Sequence, residues 1–409
     1  METNRNRQLH AEMPPKGGKT MKTARIGVLV VLISLALFAF GEEGLANELF
    51  TAVQAGEITK VNELITQGAQ VNLREDGKTA LMYAAQYNQS PEIIEALVTA
   101  GALVDARDRL KQTPLMYAAA YNENPAISEA LIRAGARIDA KGDRGWTPLM
   151  YAVQNAASTD IIRLFLTEET DVNSRDDQDK TVLMLAAGSN INPEVIQILL
   201  QAGADLKARD GDGRTPPMYA AEKNPNPEIV ATLIQAKASV NSRDLEGITP
   251  LMLAAANSSA PGSIKKLIEV GAAINAKDGT GRTVLMYAAR VQTAAIIEYL
   301  LQAGADPGER DPQNRTVLMY AAEQNQNPEI IEILVAAGVP INAKDQDGIT
   351  ALMSAARYNE EPRIVETLLS LEADASAKSR LGQTAFEFAQ YNYGLIDTEA
   401  YWLLNDARF

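Results

Sequence analysis

The sequence predicts an all-α solenoid of about eleven helix-turn-helix layers with short hairpin loops, on three observations. A threonine-led segment recurs at Thr79, Thr113, Thr147, Thr181, Thr215, Thr249, Thr283, Thr316, Thr350 and Thr384, with eight intervals of 34 residues and one of 33. A fixed period of that length marks stacked supersecondary units and not a string of separate globular domains. Each period holds two apolar stretches bounded by helix-start and helix-stop residues. The units at both ends depart from the pattern, as end units must where one side faces water.

Residues 1–41 read as a signal peptide. Ile26 to Phe40 form an uncharged run, preceded by Lys16, Lys19, Lys22 and Arg25 and followed by Glu42 and Glu43. As a helix the run spans about 22 Å, short of the roughly 30 Å of a bilayer core. Cleavage is therefore the first expectation, before Glu42 or before Asn47, and an N-terminal membrane anchor through residues 26–40 is the alternative. A start at Met21 gives a signal of ordinary proportions. The expected localisation is exported, periplasmic or secreted, or membrane-anchored if the segment is retained.

Residues 42–409 read as one array: a capping unit at 46–76, nine internal repeats over 77–381 and an opposite cap at 382–409. The internal unit opens with Thr-x-Leu-Met-x-Ala-Ala, exact in seven of the nine, and turns through Asn, Ser and Pro. A second apolar helix, a Gly-Ala exit and a polar hairpin with Arg/Lys-Asp complete it. Ser90, Asn124, Asn192, Asn226 and Asn327 each precede a proline, the arrangement of an N-cap followed by Pro at the first helical position. Glu92, Glu194, Glu228 and Glu329 then suit the positive helix end. Gly68, Gly101, Gly135, Gly203, Gly271, Gly304 and Gly338 stand where a left-handed helix exit is expected.

These units resemble ankyrin repeats, of a bacterial, exported type, over residues 46 to about 409. They match the family's Thr-Pro-Leu-His-x-Ala-Ala helix, its Gly-Ala-Asp-Val-Asn exit and its Asp/Gly hairpin tip, as in Asp210-Gly211-Asp212-Gly213. Two departures stand out. Methionine replaces the family's histidine at Met82, Met116, Met150, Met184, Met218, Met252, Met286, Met319 and Met353, so the hydrogen bonds of that histidine must be replaced or forgone. A residue is inserted between the two helices of most units, except the one from Thr283, where Arg290-Val291-Gln292-Thr293 shortens the spacing.

Composition narrows the chemistry. There is no cysteine, and His10 is the only histidine. Thiolate metal sites, cysteine nucleophiles and disulfides are excluded, and with residues 1–41 removed so are imidazole-based triads and metal sites. No cofactor or metal is expected; the faint calcium-loop pattern from Asp210 fails at Ala221, where a bidentate Glu is needed. Setting aside the six basic and two acidic residues of positions 1–41 moves the net charge from −14 to −18. Such a surface disfavours nucleic acid and anionic membranes and suits a neutral or basic protein partner. Membrane contact is expected only through an uncleaved N-terminal segment.

The methionine column is read as packing, as is the tyrosine column of Tyr83, Tyr117, Tyr151, Tyr219, Tyr287 and Tyr320. The Arg/Lys-Asp row, from Arg107-Asp108 to Lys344-Asp345, is read as turn structure with pairing to the next unit. Resemblance to the family places the helix ends and hairpin tips on a concave face. The candidate partner-binding residues there are Tyr87, Arg109, Leu110, Tyr121, Trp146, Glu222, Lys223, Leu245, Ile248, Arg290, Ile349, Arg357 and Tyr358. The leading function is an exported noncatalytic protein-protein interaction scaffold. The alternatives are a carboxylate-based hydrolase, or a secreted effector or periplasmic protective factor.

Overall fold

The computed structural model describes residues 44–155, 158–257 and 261–407. The signal or anchor segment, the site before Glu42 and the alternative start at Met21 lie outside the described residues. Among the described residues no helix is long and apolar enough to cross a membrane. Backbone contacts divide the chain into two compact units, Met1–Leu103 and Val104–Phe409.

The described part of the first unit holds two helix pairs, 44–55 with Ile58–Thr66 and Ala80–Tyr87 with Pro91–Thr99. A two-residue hairpin, Arg74–Glu75 against Lys78–Thr79, lies between them. Leu49, Val53, Leu64, Met82, Ile93 and Leu97 close the core. The buried Asn88 side chain donates to Val53 O at 2.6 Å, tying one pair to the other.

Among the described residues of the second unit nine pairs follow, from Pro114–Tyr121 with Pro125–Arg133 to Ala385–Ala389 with Glu399–Asp406. First helices pack on first helices and second helices on second helices. The first helices are apolar almost all round, which is why they sit between neighbours on two sides. The Thr hydroxyl accepts the N–H of the methionine three residues on, at 3.3–3.4 Å for Thr113, Thr147, Thr249, Thr283 and Thr350. Every methionine of the column is buried.

The histidine replacement is partly compensated. Met116 and Met218 turn their sulfur back onto the N–H of Thr113 and Thr215 at 3.4 Å, as Met82 does to Thr79, a capping box with a weak sulfur acceptor. The last layer restores the ordinary form, with Glu387 accepting from Thr384 N at 2.5 Å.

Second helices start largely as the sequence predicts. Asn124, Asn192, Asn226 and Asn327 accept the N–H two residues on. Ser90 departs: its hydroxyl bonds the Glu92 carboxylate and makes no cap. The seven predicted exit glycines all have φ between 88° and 95°. Lys237 and Glu372 hold the same left-handed place without being glycine, at φ 77° and 66°.

Candidate functional site

Four lines of hydrogen bonds run from layer to layer in the second unit and decide which residues are free for another task. The first joins hairpin tips through the backbone: Asp177 N to Arg144 O, Leu245 N to Asp212 O, Gly279 N to Glu246 O and Arg380 N to Asp347 O, all within 2.7–3.0 Å. Gly279 is required here, since a Cβ would stand 2.7 Å from Glu246 O. The second uses the charged row. Arg107, Lys141, Arg175, Arg209, Arg243 and Lys344 each donate to the backbone carbonyl 34 residues ahead. The expected pairing with the next unit is thus made to a carbonyl.

The third line is a buried amide ladder. Asn224 donates to Ala187 O and Asn190 O at 2.9 and 2.8 Å, and Asn359 to Ala322 O and Asn325 O at 3.0 and 2.8 Å. These contacts satisfy carbonyls at the ends of preceding first helices, which otherwise lack partners. In the short unit Gln292 takes the asparagine's place and its longer side chain still reaches Ala255 O at 3.0 Å. The fourth line joins helix exits, as where Asn173 donates to Gly203 O and accepts from Asp205 N.

Hairpin aspartates are equally occupied. One oxygen of Asp108, Asp176, Asp210, Asp278 and Asp311 accepts turn N–H groups. The other accepts a tyrosine hydroxyl at 2.7 Å for Tyr117, Tyr287 and Tyr320, and Tyr219 bonds Asp210 likewise. Burial, then the bond to Asp311, pushes the Tyr320 phenol up to about 12; Tyr219 and Tyr287 are raised well above the ordinary value for the same two reasons. Four of these carboxylates serve as turn and tyrosine acceptors, and Asp176, whose layer lacks the tyrosine, accepts from Trp146 instead.

In several layers the residue before the threonine covers the tyrosine ring. Arg282 and Arg315 place their guanidinium groups 5.0 and 4.3 Å from the ring centres of Tyr287 and Tyr320. One correction to the predicted set falls at this position. Ile248 is buried, at 8% exposure, in a layer that has Leu253 in place of tyrosine. Ile349 holds the same position and is half-buried. Trp146 is a lid as well, half-buried, edge-on to Tyr151 with centroids 5.2 Å apart and donating to Asp176 Oδ2 at 3.1 Å. It is therefore tied into the frame and is not a free tip.

Other candidates divide the same way. Glu222 is half-buried and takes both bonds from Arg214, at 3.1 and 3.2 Å. Arg290 is half-buried and donates to Gln324 Oε1 at 2.8 Å. Arg357 is exposed, with its guanidinium 4.9 Å from the Tyr358 ring centre. Tyr87, Arg109, Leu110, Tyr121, Lys223, Leu245 and Tyr358 are exposed, Leu245 at 79%. Helix ends and tips share one face in the second unit, where Asp143, Trp146, Gln154, Gly188, Tyr219 and Lys223 line a hollow of about 630 Å³. Gly188 stands outside the predicted set; its signal in the sequence is the small size of Gly188-Ser189 between Gln154-Asn155 and Glu222-Lys223 in the flanking layers.

A stack of helix pairs tied by these lines defines a repeat scaffold, and comparison with known proteins gives its family. The model for ankyrin repeats matches overlapping segments from residues 49–141 to 318–404. The chain belongs to the ankyrin repeat family. It is similar, at 35% identity over 78 residues, to the ankyrin repeat domain-containing protein SAT10 of Stachybotrys chartarum, covering 19% of this chain and 4% of that protein. It is also similar, at 39% identity over 64 residues, to an ankyrin repeat and KH domain-containing protein of Caenorhabditis briggsae, covering 16% of this chain and 2% of that one. The likeness to both is to short stretches of much longer proteins.

Proposed function

We propose that the chain is an exported, noncatalytic scaffold that holds a neutral or basic protein partner on the face formed by first-helix ends and hairpin tips, the concave face by family resemblance. One observation carries this reading: buried and turn residues are consumed in holding layer to layer, while Tyr121, Leu245, Arg357 and Tyr358 on that face are exposed. Exposed aromatic and arginine side chains are the usual anchors of protein interfaces. The acidic balance of the chain favours a basic partner through steering and complementarity.

Export rests on the basic segment and uncharged run of residues 16–40. Cleavage before Glu42 suits the fold better than cleavage before Asn47. Ala46, Leu49 and Phe50 are buried within helix 44–55, which the second cut would break. N-terminal sequencing of the protein from cells should return Glu42; a start at Met1 or Met21 contradicts processing.

The partner-binding test places a photo-cross-linking amino acid at Tyr121, at Tyr358 and, as control, at the exposed Arg133 on a second helix. A discrete adduct from the first two and none from Arg133 is expected. Adducts from Arg133 alone would move the interface to the opposite face.

A further inference from the structure

We propose that the hollow at Gly188 docks a segment of the partner protein carrying a basic and an acidic side chain, the basic one against Asp143 and Asp177 and the acidic one against Lys180 and Lys223. This rests on the partner-binding reading above and names the chemistry that reading leaves open.

The hollow exists because of two small residues. In the flanking layers the places of Gly188 and Ser189 are filled by Gln154-Asn155 and Glu222-Lys223. What remains is a space of about 630 Å³ floored by Met184 and Leu185, a size that accommodates a few side chains. Both walls are fixed before anything binds. Trp146 is held by Asp176 and Tyr151 on one side, and the Tyr219 ring is held by its bond to Asp210 on the other.

Charges of both signs line the space: Asp143 and Asp177, with Arg144 beside Asp143, and Lys180 and Lys223. Asp143 belongs to the near hairpin and Asp177 to the tip beside it. Among the described residues Asp177 has no ion-pair or side-chain hydrogen-bond partner, and Asp143 has only Arg144 at 3.9 Å. Lys180 cannot cover a tyrosine in its own layer, where Leu185 stands, and leans instead to within 5.4 Å of the Tyr219 ring centre. Lys223 reaches the same ring at 5.6 Å. Its one carboxylate neighbour, Glu222 at 3.9 Å, is already held by Arg214. Among the described residues no ion pair joins Asp143 or Asp177 to Lys180 or Lys223, which leaves these groups to solvent. A segment with the matching pair of charges replaces that water with two charge-assisted contacts and has only one favourable direction along the layers. An extended segment fits better than a compact metabolite, because the space continues along the tips into a second concavity with Asp179, Asp212 and Arg214.

Selection of a phage-displayed random twelve-residue peptide library on the full chain tests this. Enriched peptides should share a basic and an acidic residue at fixed spacing. Binding should weaken at least tenfold in D177N for the basic position and in K223M for the acidic one, each loss vanishing when that residue of the peptide is neutral. G188Q should abolish binding with an unchanged melting temperature, since a Cβ at Gly188 meets Tyr219 only at 3.7 Å. No enrichment, enrichment of peptides without the charge pair, or equal binding to G188Q overturns the proposal. The two readings fail separately. Cross-linking from Tyr121 and Tyr358 that is the same in G188Q and the parent removes the hollow and leaves the scaffold, whereas the absence of any adduct from that face removes both.

Discussion

The layers that begin at Thr181 and at Thr316 are built alike inside and differently at the surface. Each buries its methionine, Met184 or Met319, against the neighbouring layers and closes its hairpin on an aspartate, Asp176 or Asp311. At the surface the Thr316 layer is filled: Arg315 binds Glu323 over the Tyr320 ring, and Gln324 accepts from Arg290. The Thr181 layer has Leu185 where that ring would be and Gly188 where that glutamate would be, and is open. Stability and surface chemistry are thus carried by different positions of one 34-residue unit. A layer can change what it presents without changing what holds it.

The largest effect should come from the shared interior. Met184→Ala and Met319→Ala should each cost roughly 2–5 kcal/mol in urea denaturation, because both sit in close-packed surroundings that relax only in part. A much smaller loss in either would mean that its layer is loosely packed. The surfaces should then separate with pH. The Tyr320 phenol is raised from 10.0 to about 12 by burial and Asp311, so its neutral form is the one the fold favours. That contribution is complete below pH 10 and is lost as pH rises through about 12. Tyr320→Phe should reduce the fall in melting temperature between pH 10 and 12, while Leu185→Phe, with no phenol to lose, should leave it unchanged. The smallest effect has the opposite sign. Glu372 holds a left-handed backbone conformation that a glycine takes without strain, and Glu372→Gly should stabilise by about 0.5–1 kcal/mol in the same denaturation assay.

Most of the fold is legible in the sequence because repetition isolates what each position needs. A methionine required once per unit between Leu and Ala-Ala has to be interior, and the exit glycines announce their backbone conformation. Less legible is whatever depends on a partner one layer away. Asn224 looks like an ordinary turn residue, yet its amide is spent on carbonyls 34 and 37 residues back. Gln292 looks like part of a deletion, yet it restores that same ladder. The candidate face suffers from this more than the core. Ile248 and Trp146 are tips by position, but one is buried and the other is held by Asp176, and neither outcome can be read without the residues packed around it. Gly188 shows the reverse, a small residue whose meaning comes from the larger ones beside it.

Arg357 and Asn359 lie two residues apart, one on the exposed face and one in the buried ladder, and together they test the separation of surface from frame most directly. Melting temperature and yield of the cross-linked partner adduct should be measured for Arg357→Glu and Asn359→Ala side by side. Arg357→Glu should keep its melting temperature and lose the adduct. Asn359→Ala should leave two carbonyls unpaired, at about 1–3 kcal/mol for such a buried group, melt earlier, and still form the adduct well below its transition. If the two quantities fall together in both variants, or if Arg357→Glu lowers stability while binding is unchanged, the division between frame and face is contradicted.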